Sequence, residues 1–263
     1  MQKKVYLILL VLTLVLFAGC RPSVKKDNGS VPEKTDPVIY YSFDDGSEDT
    51  VTDSSGEGND GTLIGDVEWN EEGQTGGAVF LPGGDVEGYV HLPDDIFAGM
   101  QSMTVAVWVK PMTAHYAWSR VFEFCRIEGD TPNGFIYLTL NGFDPDGEEG
   151  EEMDHVRFTL HDRNPETEVI LLHPNDSLQL DEWAHIVVTA SASECCLFIN
   201  GEKTAVLENV QHVPGDISPD NNNHLGKSVF PDPYFCGMFD EFYLYNRVLS
   251  DDEIAVLYMP DVD

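Results

Sequence analysis

Basic residues are what this 263-residue chain has least of. It carries 14 Lys and Arg against 47 Asp and Glu, a formal net charge of −33 at pH 7. Lys3, Lys4, Arg21, Lys25, Lys26 and Lys34 precede Pro37, which leaves eight basic residues for everything beyond it. Such a surface repels polyphosphate at long range, so a nucleic-acid role is excluded. Solubility in a salty medium accounts for most of the acids. Cysteine is scarce as well, five in all and never in CxxC spacing, which argues against a thiolate zinc site. The HExxH, GxSxG and glycine-rich phosphate-loop signatures are missing too. Only one long apolar run occurs, Val5 to Phe17, and it is too short to span a bilayer comfortably.

That run, with Lys3 and Lys4 before it and small residues after it, has the layout of a cleaved export signal. Phe17-Ala18-Gly19-Cys20 resembles a bacterial lipobox, with Phe17 where leucine is usual, and the resemblance makes Cys20 the lipidated first residue of the mature chain. The expected organisation is a lipoprotein signal peptide over 1–19, a flexible tether over 20–36 and one domain over 37–263. The expected location is a bacterial cell envelope, periplasmic or surface-exposed, with the membrane reached through the lipid at Cys20 alone. Outside the cytoplasm Cys125, Cys195, Cys196 and Cys236 allow three pairings. Cys195 and Cys196 point to opposite faces of a strand, so a bond between these neighbours is disfavoured, while a bridge from either to Cys125 or Cys236 stays open.

Beyond Pro37 the apolar residues recur with period two between closely spaced turn signals. Strands are expected at VIYYSF (38–43), AVFL (78–81), YVHL (89–92), TVAVWV (104–109), VFEFCRI (121–127), IYLTL (136–140) and HVRFTLH (155–161). WAHIVVTA (183–190) and CLFING (196–201) are expected to form a hairpin closed by Asn200-Gly201. In the last strand, strict alternation puts Met238, Asp240, Phe242 and Leu244 on the core side. Ser250-Asp251-Asp252-Glu253 is a capping box that starts one helix, with Ile254, Val256 and Leu257 available to face the sheets. Trp108 and Trp183 are expected in the core. Many short strands and one helix make an all-β sandwich or jelly roll.

Five blocks resemble, in order, the laminin G-like, concanavalin A-like jelly-roll family: YYSFDDGSEDTVTDSSGEGNDGTL, GGAVFLPGGDVEGYVHLP, SMTVAVWVKP, DEWAHIVVTASASECCLFINGEK and LGKSVFPDPYFCGMFDEFYLYNRVLSDDEI. The resemblance implies two antiparallel sheets of six or seven strands, with first and last strands adjacent and one short C-terminal helix. It also implies a binding or adhesion module, with a few hydrolase relatives. Hydrolases of that fold carry Glu-x-Asp-x-x-Glu on one strand face. Here Glu152-Met153-Asp154 comes nearest, and His155, Val156 and Arg157 stand where the third acid belongs. No enzyme is expected.

Adjacent first and last strands would bring Asp44 toward Asp240, two carboxylates that a Ca²⁺ ion would neutralise, with Asp53 and carbonyls near Asn59 as further ligands. The equal alternative is that Asp240 accepts backbone hydrogen bonds at a bulge. The acidic run from Asp144 to Asp154 reads as a solvated hairpin tip, since calcium-loop spacing is not met. For a polysaccharide or cell-surface glycan, the expected stacking residues are the loop aromatics Tyr116, Trp118 and Tyr234, with Phe230 and the polar Asn221–His224 nearby. Carbohydrate binding or adhesion is the first reading, a structural or protein-interaction module of the envelope the second, and a glycoside hydrolase the third.

Overall fold

The computed structural model describes residues 37–46, 48–113, 116–142, 155–162, 168–173, 178–218 and 220–259. The signal peptide, Cys20, the tether and the acidic run at 144–154 lie outside the described residues. The chain forms β1 (Ile39–Tyr41), β2 (Thr50–Val51), β3 (Gly61–Gly65), β4 (Glu68–Asn70), β5 (Ala78–Leu81) and β6 (Gly88–Leu92). It continues through β7 (Ser102–Pro111), β8 (Arg120–Glu128), β9 (Thr131–Gly142), β10 (His155–His161) and β11 (Val169–Leu172). Then come β12 (Ala184–Ser191), β13 (Glu194–Ile199), β14 (Glu202–Glu208), β15 (Asn222–Leu225), β16 (Gly237–Tyr245) and the helix α1 (Asp251–Tyr258).

These strands make two antiparallel sheets of a jelly-roll sandwich. One runs β14-β13-β12-β7-β16-β5-β4, with β1 also on β16; the other runs β11-β10-β9-β8-β15-β6-β3-β2. Each has eight strands rather than six or seven, because the short edge strands β2, β4 and β11 extend them. Period-two patterning explains the layers: Val105, Val107 and Val109 of β7 and Ile186 and Val188 of β12 meet Phe122, Phe124, Ile136, Leu138, Val156 and Phe158 across one core. Each such side chain contributes about 1.5–3 kcal/mol on leaving water. First and last strands do pair, Ile39 opposite Leu244 and Tyr41 opposite Phe242, so the fold closes by its most distant contact in sequence.

Four local expectations change. In β16, register shifts between Asp240 and Tyr243, and Glu241 takes φ +48°. This bulge flips the parity, so Phe239 enters the main core with Phe242 and Leu244, and Met238 does not. The Asn200-Gly201 turn closes β13 onto β14, Ile199 opposite Glu202, because both residues hold the positive φ of a two-residue hairpin turn. Ser191–Ser193 instead link β12 to β13. Trp183 is only half-buried, whereas Trp108 is buried as expected, on the outer side of its sheet, 5.0 Å from His185 and 5.7 Å from Tyr258. Helix α1 begins at the expected box, with Ser250 N–H donating to Glu253 and Glu253 N–H donating to Ser250 Oγ. It buries Ile254 but leaves Val256 exposed. Cys195 lies in the main core and Cys196 in the outer cluster under α1, as alternation requires; the four described cysteines are free thiols.

Candidate functional site

The loop between β15 and β16, LGKSVFPDPYFC, is where the sequence spends two prolines and two aromatics in five residues. Pro231 and Pro233 hold φ near −65°, which stiffens the segment between Phe230 and Tyr234. Its ends are pinned: Gly226 N–H donates to Val121 O, Phe235 N–H donates to Gly226 O, and Tyr234 and Gly84 exchange a pair of bonds at 2.9 and 3.0 Å. The result is a cleft of about 620 Å³ on the outer face of the second sheet, bounded by Gly84, Asn222, His224, Lys227, Phe230 and Tyr234. That volume is in the range of small-ligand clefts, about 300–1,000 Å³.

A buried ionic brace sits beneath the loop. Glu123 is fully buried on β8 and its carboxylate accepts from Arg120 Nε at 2.7 Å and from Val229 N–H at 2.9 Å. Arg120 also reaches Asp232 Oδ2 at 3.4 Å, and Ser228 Oγ donates to the same oxygen at 2.8 Å. Burial pushes the Glu123 carboxyl up, with the Arg120 guanidinium opposing it. Residues three apart on a regular strand face opposite ways; the register shift between Arg120 and Phe122 puts Arg120 and Glu123 on one side.

The expected aromatics separate into two groups. Tyr234 stacks parallel to Tyr89 of β6 at 6.3 Å, and the exposed Tyr116 has its hydroxyl beside Gly84, where a Cβ would sit 3.3 Å from it. Tyr116 and Tyr234 therefore come together at one end of the cleft. Trp118 does not join them: it is half-buried at φ +64°, with Arg120 and Arg157 at 5.5 and 5.6 Å from its ring. Two cations thus already lie against its ring, which competes with stacking on a sugar. Phe230, 40% exposed, meets Phe135 edge-on at 6.1 Å at the other end.

Charge in the cleft is mixed. Lys227 lays its ammonium over the Tyr89 ring at 4.1 Å. Asp85 and Asp232 also line the walls, and Tyr234 donates to Glu87 at 3.3 Å. His224, buried at the floor, is held neutral: burial, then Lys227, lower its pKa to about 3.

At another place in the fold the acids proposed for calcium behave unequally. Asp53 accepts from Tyr40 N–H, Ser55 N–H, Ser55 Oγ and Asn59 N–H at 2.7–3.0 Å. Burial alone would raise its pKa, but these donors outweigh it and hold the carboxylate below its usual 3.8. Those four bonds fill the roughly four acceptor positions of a carboxylate, so Asp53 has no lone pair left for a cation. Asn59 likewise gives its carbonyl to the Tyr41 hydroxyl. Asp44 and Asp240 do share a neighbour, the segment 73–77. Gly77 N–H donates to Asp44 Oδ1 at 2.7 Å, and Thr75 N–H donates to Asp240 Oδ2 at 2.9 Å. Glu241 N–H donates to Asp240 Oδ1 at 2.7 Å, the bond of a bulge. Asp240 is fully buried, and burial pushes its pKa up to about 7. A Cβ at Gly77 would sit 2.7 Å from the Phe43 carbonyl oxygen and 3.4 Å from that of Asn70, so its absence leaves an oxygen-lined cradle. A small cleft of about 380 Å³ opens there, walled by Asp44, Asn70 and Gly77. Among the described residues no group of three His, Cys, Asp or Glu side chains is placed to hold a metal. Asp44 with these backbone carbonyls fits the hard, oxygen-only chemistry of Ca²⁺, while Asp240 shares the 73–77 segment without lining the cleft.

A family model described as the concanavalin A-like lectin/glucanases superfamily matches residues 83–255. The chain belongs to that superfamily. No curated protein matches it. Among solved structures, it is similar to domain 4 of AbnA, a GH43 extracellular arabinanase from Geobacillus stearothermophilus, in complex with arabinotriose. The identity is 22%, over 85% of this chain and 98% of that one, with a TM-score of 0.66. The binding domain of botulinum neurotoxin DC, in complex with rat synaptotagmin II, is 15% identical over 85% of this chain and 51% of its own, TM-score 0.58. That of Paraclostridial mosquitocidal protein 1 is 17% identical over 85% and 52%, TM-score 0.57. The chain spans about half the length of those two toxin domains. At these identities the likeness is one of fold.

Within this lectin-like fold, Asp232, Lys227, Tyr89 and the Arg120–Glu123 brace are the site residues that strand alternation did not reveal. The aromatic-Pro-Asp-Pro-aromatic spacing of FPDPY was the available signal for Asp232 and its loop. Glu123, with no exposed surface, cannot meet a substrate.

Proposed function

We propose that this protein is a non-catalytic, glycan-binding lipoprotein of the bacterial cell envelope, whose jelly roll takes carbohydrate in the cleft beneath the 226–235 loop. One observation carries the reading: Phe230 and Tyr234, held apart by two prolines and a buried ionic brace, wall a preformed cleft that also offers Asn222, Lys227 and Asp232 as polar partners. Apolar ring faces plus a few placed polar groups are what sugar recognition needs, and rigidity lowers the entropic cost of binding. The lectin-like family and the arabinotriose complex of the arabinanase domain support this reading. The lipobox-like Cys20 supports the anchor. A structural Ca²⁺ held by Asp44, Asp240 and the carbonyls of Phe43 and Asn70 belongs to the same reading; when bound, it would neutralise a carboxylate buried without a cation.

The full chain on a glycan array tests the binding role, with Tyr234→Ala beside it. Binding by the parent that falls about fivefold or more in the variant is expected, since stacking on one ring is worth about 1 kcal/mol. Silence across the array would turn the assignment to a protein-interaction module. Labelled-palmitate incorporation that survives Cys20→Ser would refute the anchor.

A further inference from the structure

We infer that the cleft selects uncharged sugars and rejects acidic ones, such as those ending in sialic or uronic acid. This rests on the glycan-binding reading and adds the ligand's charge class to it. Four carboxylates surround the site: Asp85 and Asp232 on its walls, Glu87 bonded to the Tyr234 hydroxyl, and Glu123 beneath Val229. Two cations answer them, Arg120 and Lys227. Arg120 is already shared between Glu123 and Asp232, so it is buried beneath the loop with no charge to spare for a ligand. Lys227 is the remaining cation, its ammonium 4.1 Å from the Tyr89 ring centre, and its single charge does not offset Asp85, Glu87 and Asp232. The balance is negative, in a chain already at −33, so an incoming carboxylate meets repulsion both locally and at long range.

The same groups suit hydroxyls. Both contacts of Asp232 fall on Oδ2, to Ser228 and Arg120, so among the described residues Oδ1 has no protein donor. With its side chain 21% exposed, Asp232 can accept a sugar O–H there without losing its anchor. Lys227 can donate from its ammonium to a hydroxyl oxygen while keeping its place over Tyr89. His224 at the floor stays uncharged, so it offers no counter-ion to an acidic sugar. Asn222 adds an amide.

Matched pairs of oligosaccharides test this with the full chain, each neutral member beside the same molecule carrying a terminal sialic or uronic acid. Titration calorimetry at low and high salt is the readout. The neutral member is expected to bind at least about fivefold tighter at low salt, as one like-charge contact near 4 Å in water implies. That ratio should shrink as salt rises, because part of the repulsion is long-range. Asp232→Asn should narrow the ratio further while Lys227→Gln leaves the preference for the neutral member in place. Equal or tighter binding of the acidic members would overturn the charge inference and leave glycan binding intact. A preference for acidic members that disappears in Lys227→Gln would do the same and identify the ammonium as their counter-ion. No binding to any pair would overturn both.

Discussion

Replacing Glu123 by glutamine keeps the shape of the brace and removes its charge. Glu123 and Arg120 have side chains 0% and 4% exposed, so their pairing is desolvated on both sides. Removing one member of such a pair costs about 3–5 kcal/mol, since the other is left buried without its counter-ion. Asp232 lies 3.4 Å from Arg120 and Trp118 O accepts from it at 2.6 Å, which places the expected loss at the lower end, about 3 kcal/mol. A domain of ordinary stability survives that. Urea unfolding with an unchanged slope would report it as a shift in midpoint. The double variant Arg120→Met with Glu123→Leu separates packing from positioning. It should regain stability to within about 1 kcal/mol of the parent, because neither charge is then left alone. Yet Val229 N–H has no acceptor in the double variant, whereas the glutamine amide oxygen can still accept from it, so glycan affinity should stay reduced in the double variant. A Glu123→Gln midpoint equal to the parent's would refute the brace. Parent-like affinity in the double variant would show that Glu123 does not position the loop.

Three other outcomes follow from the same geometry. Calcium is expected to raise the thermal midpoint and a chelator to lower it, with Asp240→Ala abolishing the difference; a midpoint indifferent to chelator removes the cation from Asp44 and Asp240. Asp53→Ala should cost about 3 kcal/mol whether calcium is present or not, because three backbone N–H groups and a hydroxyl lose their common acceptor, and equal stability by denaturant melting would contradict that role. His185, buried between Trp108 and Tyr258, has its pKa lowered by burial from 6.5 to about 4. The unfolded chain takes its proton first, so this stability is complete above pH 6.5 and drains as pH falls toward 4, by about 3 kcal/mol. His185→Gln should flatten that part of the pH–stability curve, and an unaltered slope would count against it.

Alternation along the strands and the spacing of turns were enough, from sequence, to identify an all-β sandwich; that its first and last strands meet was implied by the resemblance to the laminin G-like family. Burial of every second residue leaves a period-two mark that local reading detects. The capping box at Ser250–Glu253 was legible for the same local reason. What alternation cannot carry is its own interruption. One extra residue at Asp240–Glu241 reversed the parity of β16, and another between Arg120 and Phe122 brought two opposite charges to one face. The candidate site depends on such interruptions and on contacts between distant segments. Tyr234 meets Gly84 and Tyr89 only because segments some 150 residues apart flank the neighbouring strands β6 and β15. Asp53 and Asp240, alike as letters, differ in role because one is surrounded by N–H donors and the other is buried with few. Composition and patterning determined the layers and the excess of negative charge; tertiary structure decided which carboxylates are saturated, which are buried, and which face a cleft. Solvation and hydrogen-bond partners are properties of surroundings, and surroundings exist only once the chain has folded.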